Sequence, residues 1–325
     1  MVISIALLFI LQGCPWWPDK NTEKVVEVDC KNQGSQKDSL ADVVKRLNRG
    51  GTVLVSGECN ETRAVVITQD DVVIDGQGEM IIGEENDNVF TVIGKNVTIK
   101  NFKDIRGGLN GITVRRQGSL RLENVTISNN KEIGVLVGDE KQGRRLVAEM
   151  IQILEGSQPP QRPLGNSIDY QGIDNSISWF DGFKGFSLNP IGEAWAQPAV
   201  SRSGTFCNAN FSDQTVAVVF IGSGSHGLVQ GNAGCTVTIS GHSHGGLVTA
   251  GGAVFEIDGS ATVRVQDNNW IGVGAWSQSR IDARSGQIQT PSGHDIPSCR
   301  RGNSTVKLPG SISETCPAIP VLDSA

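Results

Sequence analysis

This chain is poor in the residues that most often announce a mechanism. Among 325 residues it has one tyrosine, three methionines and four histidines, and only 19% of its side chains are charged. Lys and Arg number 28 against 34 Asp and Glu, a net charge of −6, and the basic residues form no cluster. Nucleic acid, which needs a concentrated positive surface, is excluded as a partner. Long apolar runs are scarce as well: the run from Val2 to Leu11 is too short to cross a bilayer as a mature helix. What the chain does have is glycine, 40 residues. With so few charges, that describes a turn-rich β protein, neither helical nor disordered.

The glycines punctuate a repeat. Asn96-Val97-Thr98-Ile99 returns as Asn124-Val125-Thr126-Ile127, and each copy precedes a Gly-led strand, Gly111-Ile112-Thr113-Val114 and Gly134-Val135-Leu136-Val137. Variants recur as Cys235-Thr236-Val237-Thr238-Ile239 and Ala261-Thr262-Val263-Arg264-Val265. A period in the twenties with β-branched strands and Asn or Gly turns predicts a β-solenoid, one elongated domain that grows by adding coils. Its terminal coil must be covered. A helix capped by Asp38 or Ser39, with Leu40, Val43, Val44 and Leu47 on one face and Gly50-Gly51 behind it, is the expected cap.

After this helix come Thr52-Val53-Leu54-Val55, Gly57-Glu58-Cys59-Asn60-Glu61 and Val73-Ile74-Asp75-Gly76-Gln77-Gly78. That order resembles the opening of right-handed parallel β-helix proteins of the pectate-lyase-like group, over about residues 38–140 and 203–290. The resemblance implies an all-β, right-handed parallel β-helix with an N-terminal capping helix, spanning residues 30–298. It implies no single activity, because that superfamily holds lyases, hydrolases, esterases, epimerases and proteins without catalysis. Function has to be argued from a site.

The apolar run closes at Leu11-Gln12-Gly13-Cys14, which resembles the lipobox of bacterial lipoproteins. It departs from that pattern at Gln12, and no Lys or Arg precedes the run. The resemblance implies a signal peptide over residues 1–13, acylation of Cys14, a tether over 14–29, and export to the bacterial cell envelope, at the outer membrane or cell surface. The bilayer is then a partner through the Cys14 lipid. Six cysteines remain, and in an exported protein an even number predicts disulfides. Cys207 and Cys235 lie about one coil apart, so they stack within bridging range. Cys30 pairs with Cys59 at the N-terminal end, and Cys299 with Cys316 in a tail over residues 299–325.

Residues 139–202 break the period. Gln158-Pro159-Pro160-Gln161-Arg162-Pro163 cannot be a central strand. The segment also gathers Tyr170, Trp179, Phe180, Phe183, Phe186 and Trp195 among Asp169, Asp174, Asp181 and Glu193. Aromatic platforms beside carboxylates suit a carbohydrate site, with Ca²⁺ as the ion such carboxylates would hold. The segment is expected to form a binding face, with one or two irregular coils inside it. Tyr170, Trp179 and Trp195 are the candidate sugar platforms and Asp181 the candidate catalytic acid.

Aligning Thr215-Val216 with Thr236-Val237 and Thr262-Val263 places His226, His244 and Trp270 at equivalent positions. The expectation is a stacked column: two imidazoles as catalytic candidates, Trp270 as a further platform, and His242 one step away. Gly222-Ser223-Gly224-Ser225-His226-Gly227-Leu228 resembles the Gly-His-Gly-Leu segment of polygalacturonases. The Asp-Asp of that family has its only counterpart at Asp70-Asp71, and Arg280-Ile281-Asp282 stands where the family has Arg-Ile-Lys. The carboxylate set of an inverting hydrolase is missing in the sequence. A lyase would draw on Glu84, Glu85 and Asp87 with Arg115, Arg116, Arg121, Arg144 or Arg145. Two functions follow: an anchored protein that binds and processes polysaccharide, as a lyase or hydrolase, or a non-catalytic structural or adhesive envelope solenoid.

Overall fold

A computed structural model describes residues 24–32, 39–47, 49–154, 201–222, 224–231, 234–242, 244–268, 270–283, 286–289, 296–308 and 314–319. The chain winds into a solenoid in which every strand pairing is parallel, arranged as one 16-stranded and one 9-stranded sheet. Each coil has three faces. The first face runs from strand Val25–Asp29 to strand Thr305–Lys307, and the second from Cys59–Asn60 to Gln287–Gln289. These two merge into one sheet because strands Ser119–Ser128 and Arg202–Ser212 bend through both. The third face is the separate sheet, from Val65–Ile67 to Glu314–Thr315.

On the first face burial alternates along strands such as Gly51–Ser56 and Val97–Lys100. Inward residues therefore stack across coils: Val53, Ile74, Ile99, Leu122, Phe206, Val229, Ile257 and Ala283 lie in one register. The third face is different, since strands such as Ile133–Val137, Val216–Ile221 and Gly245–Ala250 are buried along their whole length. Their near-continuous apolar sequence fits a sheet covered on both sides. The outer cover is helix α2 (Glu140–Leu154), whose Leu146, Val147 and Met150 join Leu136, Val219 and Val248 in one apolar cluster. Helix and sheet meet closely at Gly143, where a Cβ would stand 2.6 Å from Leu136 Cδ2. Further along, the C-terminal Cys316 and Ile319 join the same cluster with Trp276.

The cap helix α1 (Leu40–Lys45) forms as expected, with Ser39 Oγ accepting from the Asp42 N–H at 3.2 Å. It takes the place in the first coil that a third-face strand fills later, and buries Leu40, Val43 and Val44, with Leu47 just beyond it. All three expected disulfides are present: Cys30–Cys59, Cys207–Cys235 and Cys299–Cys316.

Four expectations need correction. The solenoid begins inside the segment assigned to the tether, because Val25–Asp29 pairs with Gly51–Ser56. It also continues into the assigned tail, where Thr305–Lys307 and Glu314–Thr315 both pair with earlier strands. No coil separates the strands that flank residues 138–201: Leu122 pairs directly with Phe206, and Val135 with Val218. Finally, the repeated Asn-Val-Thr-Ile is not one place in the coil. Val97 pairs with Leu120, not Val125, whereas Ile127 pairs with Ile105 on the second face. Asn96 and Asn124 are both left-handed, φ 55° and 53°, but they turn different corners.

Candidate functional site

The outer first face carries a charged cluster whose phase is set by packing beneath it. At Gly227 a Cβ would stand 2.4 Å from the rings of both Phe220 and Phe255, so the inward position holds no side chain. Its neighbours His226 and Leu228 then point outward. One coil later Phe255 and Ile257 point in, leaving Glu256 outside; in the next, Ile281 points in and Arg280 and Asp282 out. The register aligns Leu228, Glu256 and Asp282, and separately His226, Val254 and Arg280. Two carboxylates thus occupy adjacent coils, about one strand spacing of 4.8 Å apart.

Glu256 bridges this cluster. One carboxylate oxygen lies 3.3 Å from His226 Nε2 and the other 3.9 Å from an Arg280 guanidinium nitrogen, which also pairs with Asp282. Glu256 and Asp282 are well covered, with side chains 15% and 8% exposed, while His226 and Arg280 remain 41% and 39% exposed. The accessible edge is therefore an imidazole and a guanidinium held in place by carboxylates beneath them. Such a group can donate and accept hydrogen bonds together. An imidazole beside a carboxylate is also equipped to take and return a proton.

The cluster sits where the long excursion rejoins the stack. Ser203 pairs with His226, and the Arg202 N–H donates to the Gly224 carbonyl at 2.8 Å. Tyr170, Trp179, Asp181 and Trp195, together with Cys14 and the apolar run from Val2 to Leu11, lie outside the described residues.

The expected histidine column does not form. His226 stands on the first face, whereas His244 leads into the third-face strand Gly245–Ala250. Thr215-Val216 and Thr236-Val237 belong to different faces, so aligning them joined unrelated corners. Half of the column survives: the Ile271 N–H donates to the His244 carbonyl, putting Trp270 one coil above His244. Thr215 and Glu132 precede His244 in the same column. Burial pushes the Glu132 carboxyl above the usual carboxylate range, against the pull of Arg144 and Lys131. Trp270 is only 7% exposed and belongs to the apolar cluster of the third face.

His242 is wholly buried at the corner between the second and third faces. It shares a register with Asn130, Gln214 and Asn268, a ladder of buried polar side chains. The Gln214 N–H donates to Nδ1 at 3.3 Å, so the Nε2–H donates to the Phe211 carbonyl at 3.1 Å. Burial holds its pKa down at about 4. Its role is to satisfy corner backbone, as the buried ladder requires.

The acidic turn is also committed to structure: Asp87 accepts from the Ala64 and Asn88 N–H groups, and Glu85 faces Lys131 at 3.8 Å. Arg115 pairs with Glu140, which Arg144 also contacts. Among the described residues, no group of three or more His, Cys, Asp or Glu side chains is arranged to hold a metal ion.

Sequence reasoning passed over Glu256 altogether and saw Arg280 and Asp282 only as a departure from a motif. The signal was the alternation in Val254-Phe255-Glu256-Ile257, which matches Leu228-Val229 once His226 is given its true face. No known family model matches the chain, and comparisons with curated proteins and with solved structures find no similar protein.

Proposed function

We propose that this protein is an exported, envelope-anchored β-solenoid that binds polysaccharide across its first face, with His226, Glu256, Arg280 and Asp282 as the polar centre. The observation that carries the reading is their convergence on one outer face from three successive coils. A flat parallel sheet repeats about every 4.8 Å, close to the length of a sugar ring, so neighbouring rings of a glycan would meet neighbouring coils. Arg280 and His226 would bind hydroxyl or carboxylate oxygens. Glu256 and Asp282 would hold both cations in position and accept from hydroxyls. The His226–Glu256 pair also supplies what hydrolytic or eliminative cleavage needs for proton transfer.

Export and anchoring are supported by the three inter-coil disulfides, which persist in oxidising compartments, and by the Leu11-Gln12-Gly13-Cys14 sequence. A Cys14→Ser variant should move from the membrane to the soluble fraction; retention on membranes would refute lipidation.

The central test is a panel of acidic and neutral polysaccharides, scored for binding, reducing ends and ultraviolet-absorbing unsaturated products. Saturable binding that disappears in Arg280→Ala supports the site. Binding without either product makes the protein a binding module. Loss of binding across the whole panel leaves the second reading, a structural or adhesive envelope solenoid, which the disulfides and stacked core equally suit.

A further inference from the structure

The turns that lead from the third face to the first form a ridge beside the charged cluster, and one turn in that ridge is built unlike its neighbours. In the turn closed by the Ala253 N–H and the Ala250 carbonyl, the two central residues are Gly251 and Gly252, with φ of 64° and 77°. One coil later, the Ser279 N–H and Trp276 carbonyl close the same turn around Ser277 and Gln278, with φ of 47° and 63°. Thr249 pairs with Ala275 and Ala275 with Arg300, so Ser277 stands between Gly251 and Gly302, itself at φ 68°. Positive φ at both central positions is the geometry that glycine meets without strain and other residues do not.

The strained pair is clamped at both ends. The Trp276 ring is buried, and its indole N–H donates to the Pro317 carbonyl at 3.1 Å. Ser279 Oγ donates to the Thr249 carbonyl at 3.0 Å. Gln278 is nevertheless exposed at the crest, two residues before Arg280. On the His226 and Glu256 side, the ridge carries Gly222, Gly224, Gly251 and Gly252, all with positive φ. Strain that the surroundings enforce, where the adjacent coils use glycine, marks side chains retained for a purpose other than stability.

We propose that Gln278, presented by the Ser277-Gln278 turn, is a ligand-contact residue: its amide forms the wall at the Arg280 end of the glycan track and hydrogen-bonds a sugar hydroxyl. This inference rests on the reading of the first face as a polysaccharide site. The test uses the full chain with polygalacturonate and xylan as probes, comparing wild type, Gln278→Ala, the double variant Ser277→Gly/Gln278→Gly, and Arg280→Ala. The double variant should melt at a higher temperature yet bind about tenfold more weakly, the loss expected for one hydrogen bond. Gln278→Ala should show the same loss of affinity without the gain in melting temperature. If the double variant melts higher but binds like wild type, or if it melts lower, the inference is overturned. Normal binding by Arg280→Ala would instead bring down the underlying site and this inference with it.

Discussion

The side-chain amide of Asn124 donates to Asn101 Oδ1 one coil below at 3.2 Å. Asn208 donates to Asn124 in turn at 3.1 Å, and Asn101 to Asp75 at 3.0 Å. The ladder ends where the Thr236 N–H donates to Asn208 Oδ1 at 3.4 Å. All three asparagines are left-handed, φ 51–56°, so each supplies both a turn and a rung. Replacing Asn124 by Ala should cost on the order of 2–4 kcal/mol, from backbone strain plus two lost hydrogen bonds. Asn124→Gly should cost clearly less, since it loses the rungs but not the turn. Urea denaturation of both variants measures the difference, and equal costs would refute the argument.

His242 makes stability depend on acid. Its pKa is about 4 in the fold, against 6.5 for an ordinary histidine. The unfolded chain therefore binds the proton first as pH falls. The stabilisation is complete above pH 6.5 and drains away down to about pH 4, by roughly 3 kcal/mol at 1.36 kcal/mol per pH unit. Burial raises Glu61, Glu132 and Asp104, which stabilise the fold in the opposite sense as they protonate. The histidine contribution is thus read as a difference: His242→Asn should flatten the wild-type loss between pH 6.5 and 4.

Glu61 holds the cap helix. Its Oε1 accepts the Leu40 N–H at 2.9 Å, and burial pushes its carboxyl above the usual range. Glu61→Gln keeps an acceptor and removes a charge that is costly to bury, so its stability at pH 7 should equal or exceed wild type. Glu61→Ala leaves a buried N–H without a partner and should lose about 1–3 kcal/mol. Because a raised carboxyl favours the fold as pH falls, wild type should gain on Glu61→Gln on acidification through the carboxylate range. Thermal melts at pH 7 and in mild acid check both statements.

The Cys207–Cys235 bond closes a 28-residue separation across two coils, just after the excursion rejoins the stack. Replacing both cysteines by Ala should lower stability by about 2–4 kcal/mol. The wild type should show that loss only with reductant present, and the double variant no further loss from this bond.

Much of this architecture could be read in advance because it is written locally. The cap helix follows from Ser39 and the spacing of Leu40, Val43 and Val44. The Cys207–Cys235 disulfide follows from coil length. What misled was also local: Asn96 and Asn124 take the same left-handed turn and lead into the same Val-Thr-Ile alternation, so identical words mark different corners. On the third face the alternation vanishes, because Val216–Ile221 is buried on both sides, and without it Val216 was matched to Val237. That one slip moved His226 onto the wrong face and hid Glu256. Helix α2 is hard to read in advance because its apolar Leu146, Val147 and Met150 lie in a segment that the strand period does not reach.

The Cys30–Cys59 bond joins the first coil to the second. Tension applied at the N-terminus reaches Cys30 and crosses the sulfur bridge to Cys59, leaving residues 31–58 slack. Helix α1 and strand Gly51–Ser56 lie inside the loop that this bond closes. A pull along the chain is therefore borne first by the coil beginning at Cys59, and the cap can stay seated while the protein is under load.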